Sequence, residues 1–142
     1  MTTRPTLVRD IMTKEVVTLA FDDKLAVADD VMRLGRIRHL PVIDAQGLLA
    51  GIVSQRDLFQ SGLLRAMGVD GATQRRAFDA VSIREAMKPD VVTVAPDTSL
   101  EVAARLMLER KIGCLLVTEG KRILGIVTES DFVKLALPRG AR

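Results

Sequence analysis

The sequence predicts an α/β fold, or α+β by stricter definition, built from two quasi-symmetric β-α-β-β-α repeats packed as one module. The first observation behind this prediction is an internal repeat: "VRDIMTKEVVTLAFDDKLAVADDVM" matches "IREAMKPDVVTVAPDTSLEVAARLM" 75 residues later. The second is that short β-branched runs alternate with stretches whose apolar residues recur at helical spacing. The third is a length of 142 residues with 48% hydrophobic residues, which is enough for a substantial core.

Each repeat begins with a short strand followed by an amphipathic helix. The run "EVVTL" is β-branched and predicts strand one. Asp22 and Asp23 are N-cap candidates for the next helix, as are residues 97–99 in the second repeat. The predicted apolar face of this helix comprises Leu25, Ala28, Val31 and Met32, and that of its counterpart comprises Leu100, Ala103, Leu106 and Met107.

Two further strands and a second helix complete the repeat. "HLPVI" predicts strand two, "DAQG" a tight turn and "LLAGIVS" strand three, and a helix opens at Arg56 and Asp57. We therefore place repeat 1 at residues 8–60 and repeat 2 at residues 82–137. Residues 61–81 between them are predicted to form a helical extension followed by an irregular linker.

The composition excludes several classes of protein. A single cysteine cannot form an internal disulfide, and a single histidine excludes the common multi-ligand zinc patterns, so no metal site is expected. The sequence has no signal-peptide pattern and no apolar run of about 20 residues, so we expect a cytoplasmic protein without a membrane span. Aromatic residues make up only 3% of the chain, which argues against stacking platforms for single-stranded nucleic acid.

The third strand of each repeat leads into its helix through a matched motif, "GIVSQRD" and "GIVTESD". One interpretation is a capping box, in which the hydroxyl of Ser54 or Thr128 caps the helix and the acid three residues later reaches back. The other is a ligand site, because a helix N-terminus attracts anions and a carboxylate binds vicinal ribose hydroxyls. The local sequence leaves both interpretations open.

An independent enzyme is not expected from these residues. His39 has no evident nucleophilic partner, because Cys114 lies on a predicted strand and is typical of a small buried apolar residue. The acids occupy equivalent repeat positions, which suits binding symmetry better than separate acid and base roles. Neither a P-loop nor a dinucleotide glycine fingerprint is present.

The doubled pattern "VVT…PVID…GIVSxxD" and "VVTV…GIVTxxD" resembles a tandem pair of CBS domains, the Bateman module. The resemblance covers nearly the whole chain, and "IMT", "HLPVID" and "GIVSQRD" are its strongest matches. The second copy departs from the pattern, with "CLLVTEG" where Pro and Asp are usual.

The resemblance implies two sheets packed together, with two related clefts that bind adenosyl compounds. It assigns the ribose hydroxyls to Asp57 and Asp131, and phosphates to Arg38 and His39, with help from Arg56. The remaining residues that we expect to line the clefts are Val16, Val17, Thr18, Pro41, Ser54, Val91, Val92, Thr93, Cys114 and Thr128. Of these, Thr18 and Thr93 with the neighbouring valines would line the base pocket, although both threonines are also ordinary exposed strand residues. His39 is also compatible with a half-buried strand position between the repeats.

These expectations describe a regulatory module that requires no cofactor. Its ligand would be AMP, ADP or ATP, or else NAD or S-adenosylmethionine, and it would act as a homodimer on an unknown effector protein. Arg38 and His39 align with Gly113 and Cys114, so we expect one cleft to prefer a phosphorylated nucleotide. One alternative is a ligand-free dimerisation or docking scaffold. The other is a nucleic-acid-binding protein that uses Arg9, Arg33, Arg36, Arg38, Arg75 and Arg76.

Overall fold

The computed structural model describes residues 4–66 and 71–138, which form two three-stranded sheets with helices. The elements up to residue 80 are α1 (Val8–Ile11), β1 (Leu19–Ala20), α2 (Leu25–Gly35), β2 (His39–Ile43), β3 (Leu49–Ser54), α3 (Gln55–Ala66) and α4 (Gly71–Ala80). The elements that follow are α5 (Ile83–Ala86), β4 (Thr93–Val94), α6 (Leu100–Arg110), β5 (Cys114–Glu119), β6 (Arg122–Thr128) and α7 (Glu129–Lys134). The predicted order β-α-β-β-α is confirmed in both repeats.

Both sheets have the same topology. β1 pairs with β2 in parallel and β2 pairs with β3 antiparallel, and β4, β5 and β6 repeat this arrangement. The hairpin between β2 and β3 turns at "DAQG", where Asp44 Oδ1 accepts hydrogen bonds from the N–H groups of Gln46 and Leu48. Gly47 completes the turn with φ of 79°, a left-handed conformation that glycine adopts without steric cost.

The first strands are shorter than predicted. β1 contains only Leu19 and Ala20, so most of the run "EVVTL" lies outside it. The predicted N-cap of α2 is also wrong, because Lys24 occupies that position and the carboxylate of Asp23 instead accepts the Ala20 N–H at 3.0 Å. In the second repeat Ser99 caps α6 as predicted, since its hydroxyl accepts the N–H of the third residue of the helix.

The chain divides into two compact units that cut across the repeats. One comprises residues 17–91, and the other joins the residues up to Val16 with those from Val92 onward. Each unit thus receives the opening segment of the other repeat. In the first unit Lys88 pairs with Ile52 of β3, and in the second Thr13 pairs with Ile126 of β6.

Each unit has its own apolar core. In α2 the predicted face is buried at Leu25, Ala28 and Met32, and Val31 packs against the core from a half-buried position. The first core also includes Leu19, Ala26, Leu40, Val42, Val53, Leu58, Phe78, Val81 and Ile83. The second core comprises Val8, Ala103, Met107, Leu115, Val117 and Val127.

The segment between the repeats is more helical than expected. α3 continues to Ala66, and α4 occupies residues 71–80, where we expected irregular chain. Residues 67–70 of the predicted linker lie outside the described part of the structure. Across residues 4–66 and 71–138, none of the helices has the length and apolar character needed to span a bilayer.

Candidate functional site

The junction between β3 and α3 is built around Asp57. Ser54 ends β3, and its backbone N–H donates to Asp57 Oδ2 at 2.9 Å. In return, the Asp57 N–H donates to Ser54 Oγ at 3.1 Å. These reciprocal bonds form the capping box that one interpretation of the motif predicts. Asp57 is only 6% exposed, so the junction holds a buried acid in one position.

The matching junction between β6 and α7 holds Asp131 in a similar manner. The Thr128 N–H donates to Asp131 Oδ2 at 2.8 Å, and the Thr128 hydroxyl donates to the same oxygen at 3.3 Å. That hydroxyl also lies 2.9 Å from Ser130 Oγ. Both junctions therefore use Oδ2 of the acid for the cap and leave Oδ1 outside it.

Asp57 has a cationic partner at this second oxygen. Lys88 Nζ lies 3.4 Å from Asp57 Oδ1. Two backbone hydrogen bonds of 2.9 Å hold Lys88 against β3, one in each direction between Lys88 and Ile52. Lys88 was not predicted from sequence as a site residue, although the repeat alignment sets this charged residue opposite the uncharged Thr13.

Arg38, His39 and Arg56 lie at the same junction. His39 is the register partner of Ser54 in the β2–β3 pair. The Arg38 carbonyl accepts the N–H of Gln55, the first residue of α3, at 2.8 Å. Arg38 and Arg56 are exposed, and His39 is half-buried. The structure thus brings these three predicted residues next to the buried acid.

The backbone at the start of α3 offers few donors to an anion. The Gln55 N–H donates to the Arg38 carbonyl, and the Asp57 N–H donates to Ser54 Oγ, so two of the first three N–H groups of the helix already have partners. An anion bound here would therefore depend chiefly on side-chain cations.

The two junctions differ strongly in charge. At the Asp131 junction the Gly113 carbonyl accepts the Glu129 N–H at 3.2 Å, as the Arg38 carbonyl accepts that of Gln55, so the two junctions are equivalent in backbone. The equivalent side chains are Gly113 for Arg38, Glu129 for Gln55, Ser130 for Arg56 and Thr13 for Lys88. Within the described ranges no ion pair involves Asp131. The three basic residues of the first junction thus have uncharged counterparts at the second.

The residues expected to line the base pockets are divided between the two units. Val17 and Thr18 belong to the first unit with Val91, whereas the second unit contains Val16, Val92 and Thr93. Val17 and Thr93 are exposed, and the other four are half-buried. Thr18 precedes β1, outside the strand in which it was predicted, and Thr93 begins β4. Their contact with a base stays a prediction.

Pro41 and Cys114 are strand residues with buried side chains. Pro41 is fully buried in β2, and Cys114, the first residue of β5, is 6% exposed. Burial raises the pKa of the Cys114 thiol to about 12, so the thiol is neutral at ordinary pH. This environment is typical of packing residues and leaves their predicted contact with a ligand as a prediction.

The sequence matches known proteins over most of its length. The model of the CBS domain family matches residues 8–63 and 83–137. A CBS domain-containing protein of Dictyostelium discoideum is 34% identical over 135 residues, a match that covers 92% of this chain and 91% of that protein. The match to inosine-5'-monophosphate dehydrogenase of Methanocaldococcus jannaschii, at 29% identity, covers 94% of this chain but only 24% of the enzyme.

Solved structures with the same fold include one bound to adenosyl ligands. The protein from Vibrio cholerae named for acetoin utilization, AcuB, is 38% identical with a TM-score of 0.76, and the match covers 92% of this chain and 89% of that one. The CBS domain pair of protein MJ0100 was solved in complex with 5'-methylthioadenosine and S-adenosyl-L-methionine. It is 26% identical with a TM-score of 0.76, and the match covers 97% of this chain and all of that one.

Proposed function

We propose a regulatory function for this chain, because it belongs to the CBS domain family and carries the domain twice. In this proposal the chain binds adenosyl ligands of the AMP, ADP or ATP type and relays their level to a partner protein, without catalysis of its own. The observation that carries the proposal is the pair of junctions in which Asp57 and Asp131 each keep one carboxylate oxygen outside the cap.

The chemistry of these junctions suits the sugar of a nucleoside. A carboxylate accepts hydrogen bonds from two vicinal ribose hydroxyls, and a charged acceptor makes these bonds stronger than neutral ones. The capping bonds orient each acid before a ligand arrives, so little conformational freedom is lost on binding. The complex of the MJ0100 domain pair with two adenosyl compounds supports this ligand class.

The unequal charges favour different ligands at the two junctions. Lys88 Nζ lies beside Asp57, and Arg38 and Arg56 add exposed basic side chains at the same junction, which suits the phosphates of AMP, ADP or ATP. Asp131 has Glu129 and Ser130 beside it, so a phosphorylated ligand gains little there. We assign phosphorylated nucleotides to the Asp57 junction and a less charged adenosyl ligand, or weak binding, to the Asp131 junction.

The test is direct calorimetric titration with AMP, ADP, ATP, NAD, S-adenosylmethionine and GTP, supported by thermal shift. The variants are Asp57→Asn and Asp131→Asn, in which the amide oxygen can still accept the capping N–H. A ligand present at about 100 times its Kd stabilises the folded state by about 2.7 kcal/mol, a readily measured shift in Tm. AMP-type ligands should bind the wild type and the Asp131→Asn variant, and bind Asp57→Asn at least tenfold more weakly.

A matched control separates capping from binding. Ser99→Ala removes a helix-capping hydroxyl outside both junctions, so it should cost about 1 kcal/mol of stability while leaving nucleotide affinity nearly unchanged. If no nucleotide binds the wild type, the sensor proposal fails and a ligand-free scaffold takes its place. If DNA or RNA binds with steep salt dependence instead, the nucleic-acid alternative takes its place.

The relay to a partner is proposed to operate through a homodimer. The helix faces leave apolar side chains in solvent, with Leu34 of α2 at 88% and Leu108 of α6 at 79% exposure. Such side chains gain about 25 cal/mol for each Å² of apolar surface that a second copy covers. Light scattering should report a dimer for the wild type and a monomer for Leu34→Glu combined with Leu108→Glu. A monomeric wild type would refute the dimer.

A further inference from the structure

The ion pair between Lys88 and Asp57 joins a mobile charge to a fixed one. The Lys88 side chain is 67% exposed, whereas the Asp57 side chain is 7% exposed. The carboxylate is also held by the Ser54 N–H, so it cannot leave its position without losing that bond. The ammonium group sits on a flexible stem and can move away into water at little cost.

The base of the Lys88 side chain is nevertheless fixed. Its backbone N–H and C=O both bond to Ile52 at 2.9 Å. The preceding residue, Met87, packs so closely on Gly51 that a Cβ placed there would lie 2.7 Å from the Met87 sulfur. The ammonium therefore moves only as far as one lysine side chain reaches from this fixed backbone position.

A ribose bound to Asp57 and the ammonium would compete for the same oxygen. The vicinal hydroxyls of a ribose need the acceptor positions of the carboxylate that the Ser54 N–H leaves free. Lys88 Nζ lies 3.4 Å from one of the oxygens that carries them, Oδ1. A neutral nucleoside would displace the ammonium and give it no new partner. A phosphate attached to the same ribose would offer the ammonium a new anionic partner.

We propose that Lys88 exchanges its ammonium between Asp57 and the phosphate of a bound nucleotide, and thereby sets the preference of this junction for phosphorylated over neutral adenosyl ligands. The inference rests on the proposed function and names a residue that determines specificity within it. The second junction provides an internal comparison. Thr13 has the same backbone pairing, with Ile126, but carries no charge, so that junction has no such exchange.

The experiment measures Kd for adenosine and AMP in an Asp131→Asn background, so that only the Asp57 junction is read. Lys88→Met keeps the length and removes the charge, and it should reduce the ratio of AMP to adenosine affinity by about tenfold, the scale of one charged hydrogen bond. Adenosine itself should bind equally well or better, because it no longer displaces an ammonium group. Lys88→Arg should keep most of the preference, and Lys88→Gln provides a second uncharged variant.

The reciprocal experiment places the charge at the other junction. In an Asp57→Asn background, Thr13→Lys should raise the AMP to adenosine ratio of the Asp131 junction, and 0.5 M NaCl should reduce that gain through screening. Equal ratios in the wild-type and Lys88→Met proteins would overturn the inference while leaving the proposed function intact. Failure of both adenosine and AMP to bind any variant would overturn the two together. A ratio lowered in Lys88→Met and Lys88→Gln but kept in Lys88→Arg would support the exchange.

Discussion

Replacement of Gly51 by alanine tests how the segment containing Met87 and Lys88 is held against β3. A Cβ at Gly51 would lie 2.7 Å from the Met87 sulfur and 2.9 Å from the Lys88 carbonyl oxygen. Ordinary van der Waals contacts begin at 3.4 Å, so the Met87 sulfur must move roughly 0.7 Å away from the added methyl group. Rotation of the Met87 side chain can partly relieve its contact. The Lys88 carbonyl cannot move in this way, because it belongs to the backbone and accepts a hydrogen bond from the Ile52 N–H.

The expected cost follows from this geometry. Overpacking of a closely packed site costs about 1–3 kcal/mol, and the loss of good alignment in the Ile52–Lys88 pairing adds to it. We expect Gly51→Ala to lower the free energy of unfolding by about 2 kcal/mol. With an m-value of about 2 kcal/mol/M, the urea midpoint should fall by about 1 M.

Two matched variants give this measurement its meaning. Gly47→Ala places a methyl group where no atom lies within 4 Å but imposes a φ of 79°, so it should cost about 1 kcal/mol from backbone conformation alone. In a Met87→Ala background, Gly51→Ala should cost less but still destabilise, because the contact with the Lys88 carbonyl remains. A midpoint for Gly51→Ala equal to that of the wild type would refute the close packing on which this reasoning depends.

The remaining predictions concern a helix cap, a buried thiol and an ion pair. Ser99→Ala should lower the free energy of unfolding in urea by about 1 kcal/mol, because it removes the hydrogen bond that caps α6. Ser82→Ala should cost little, since the Ser82 side chain at the N-cap of α5 makes no capping hydrogen bond. Equal costs would contradict the capping role of Ser99. Burial raises the pKa of Cys114 to about 12, so iodoacetamide at pH 8 should label the thiol quickly only in urea. The unfolded thiol ionises near its ordinary pKa of 9.0, so the free energy of unfolding should fall between pH 9 and 12 more in the wild type than in Cys114→Ala. The hydrogen bond from Arg75 holds the pKa of Asp30 below its usual value, so an NMR titration of Arg75→Ala should show that pKa rise, and an unchanged pKa would exclude this cause.

Local patterns in the sequence were sufficient for much of the fold. β2 was predicted at its observed bounds, His39–Ile43, because an apolar run ends there at the recognisable turn "DAQG". The buried face of α2 followed from apolar spacing alone. The cap of α6 was predictable at Ser99, since a hydroxyl residue before an apolar periodic stretch is the usual signal.

The bounds of strand one and the N-cap of α2 were predicted wrongly, because strand pairing decided the first and competition between backbone N–H groups for one carboxylate decided the second. Residues 16–18 are β-branched, yet of this run and its continuation only Leu19 and Ala20 pair with β2, and a strand needs a partner that propensity does not reveal. Asp23 has the right chemistry for an N-cap, but its carboxylate bonds the Ala20 N–H of the preceding turn instead. Both choices depend on which backbone groups lie nearby after folding.

The same distinction applies to the candidate site. The two candidate acids, the hydroxyl residues before them and the contrast of Arg38 and Arg56 with Gly113 and Ser130 could be predicted from the sequence, because these features are local and repeated. Only the tertiary structure placed Lys88 on Asp57. That contact arises because the segment that opens the second repeat pairs with β3 of the first, and backbone pairing between distant segments is decided by packing and not by local residue preference.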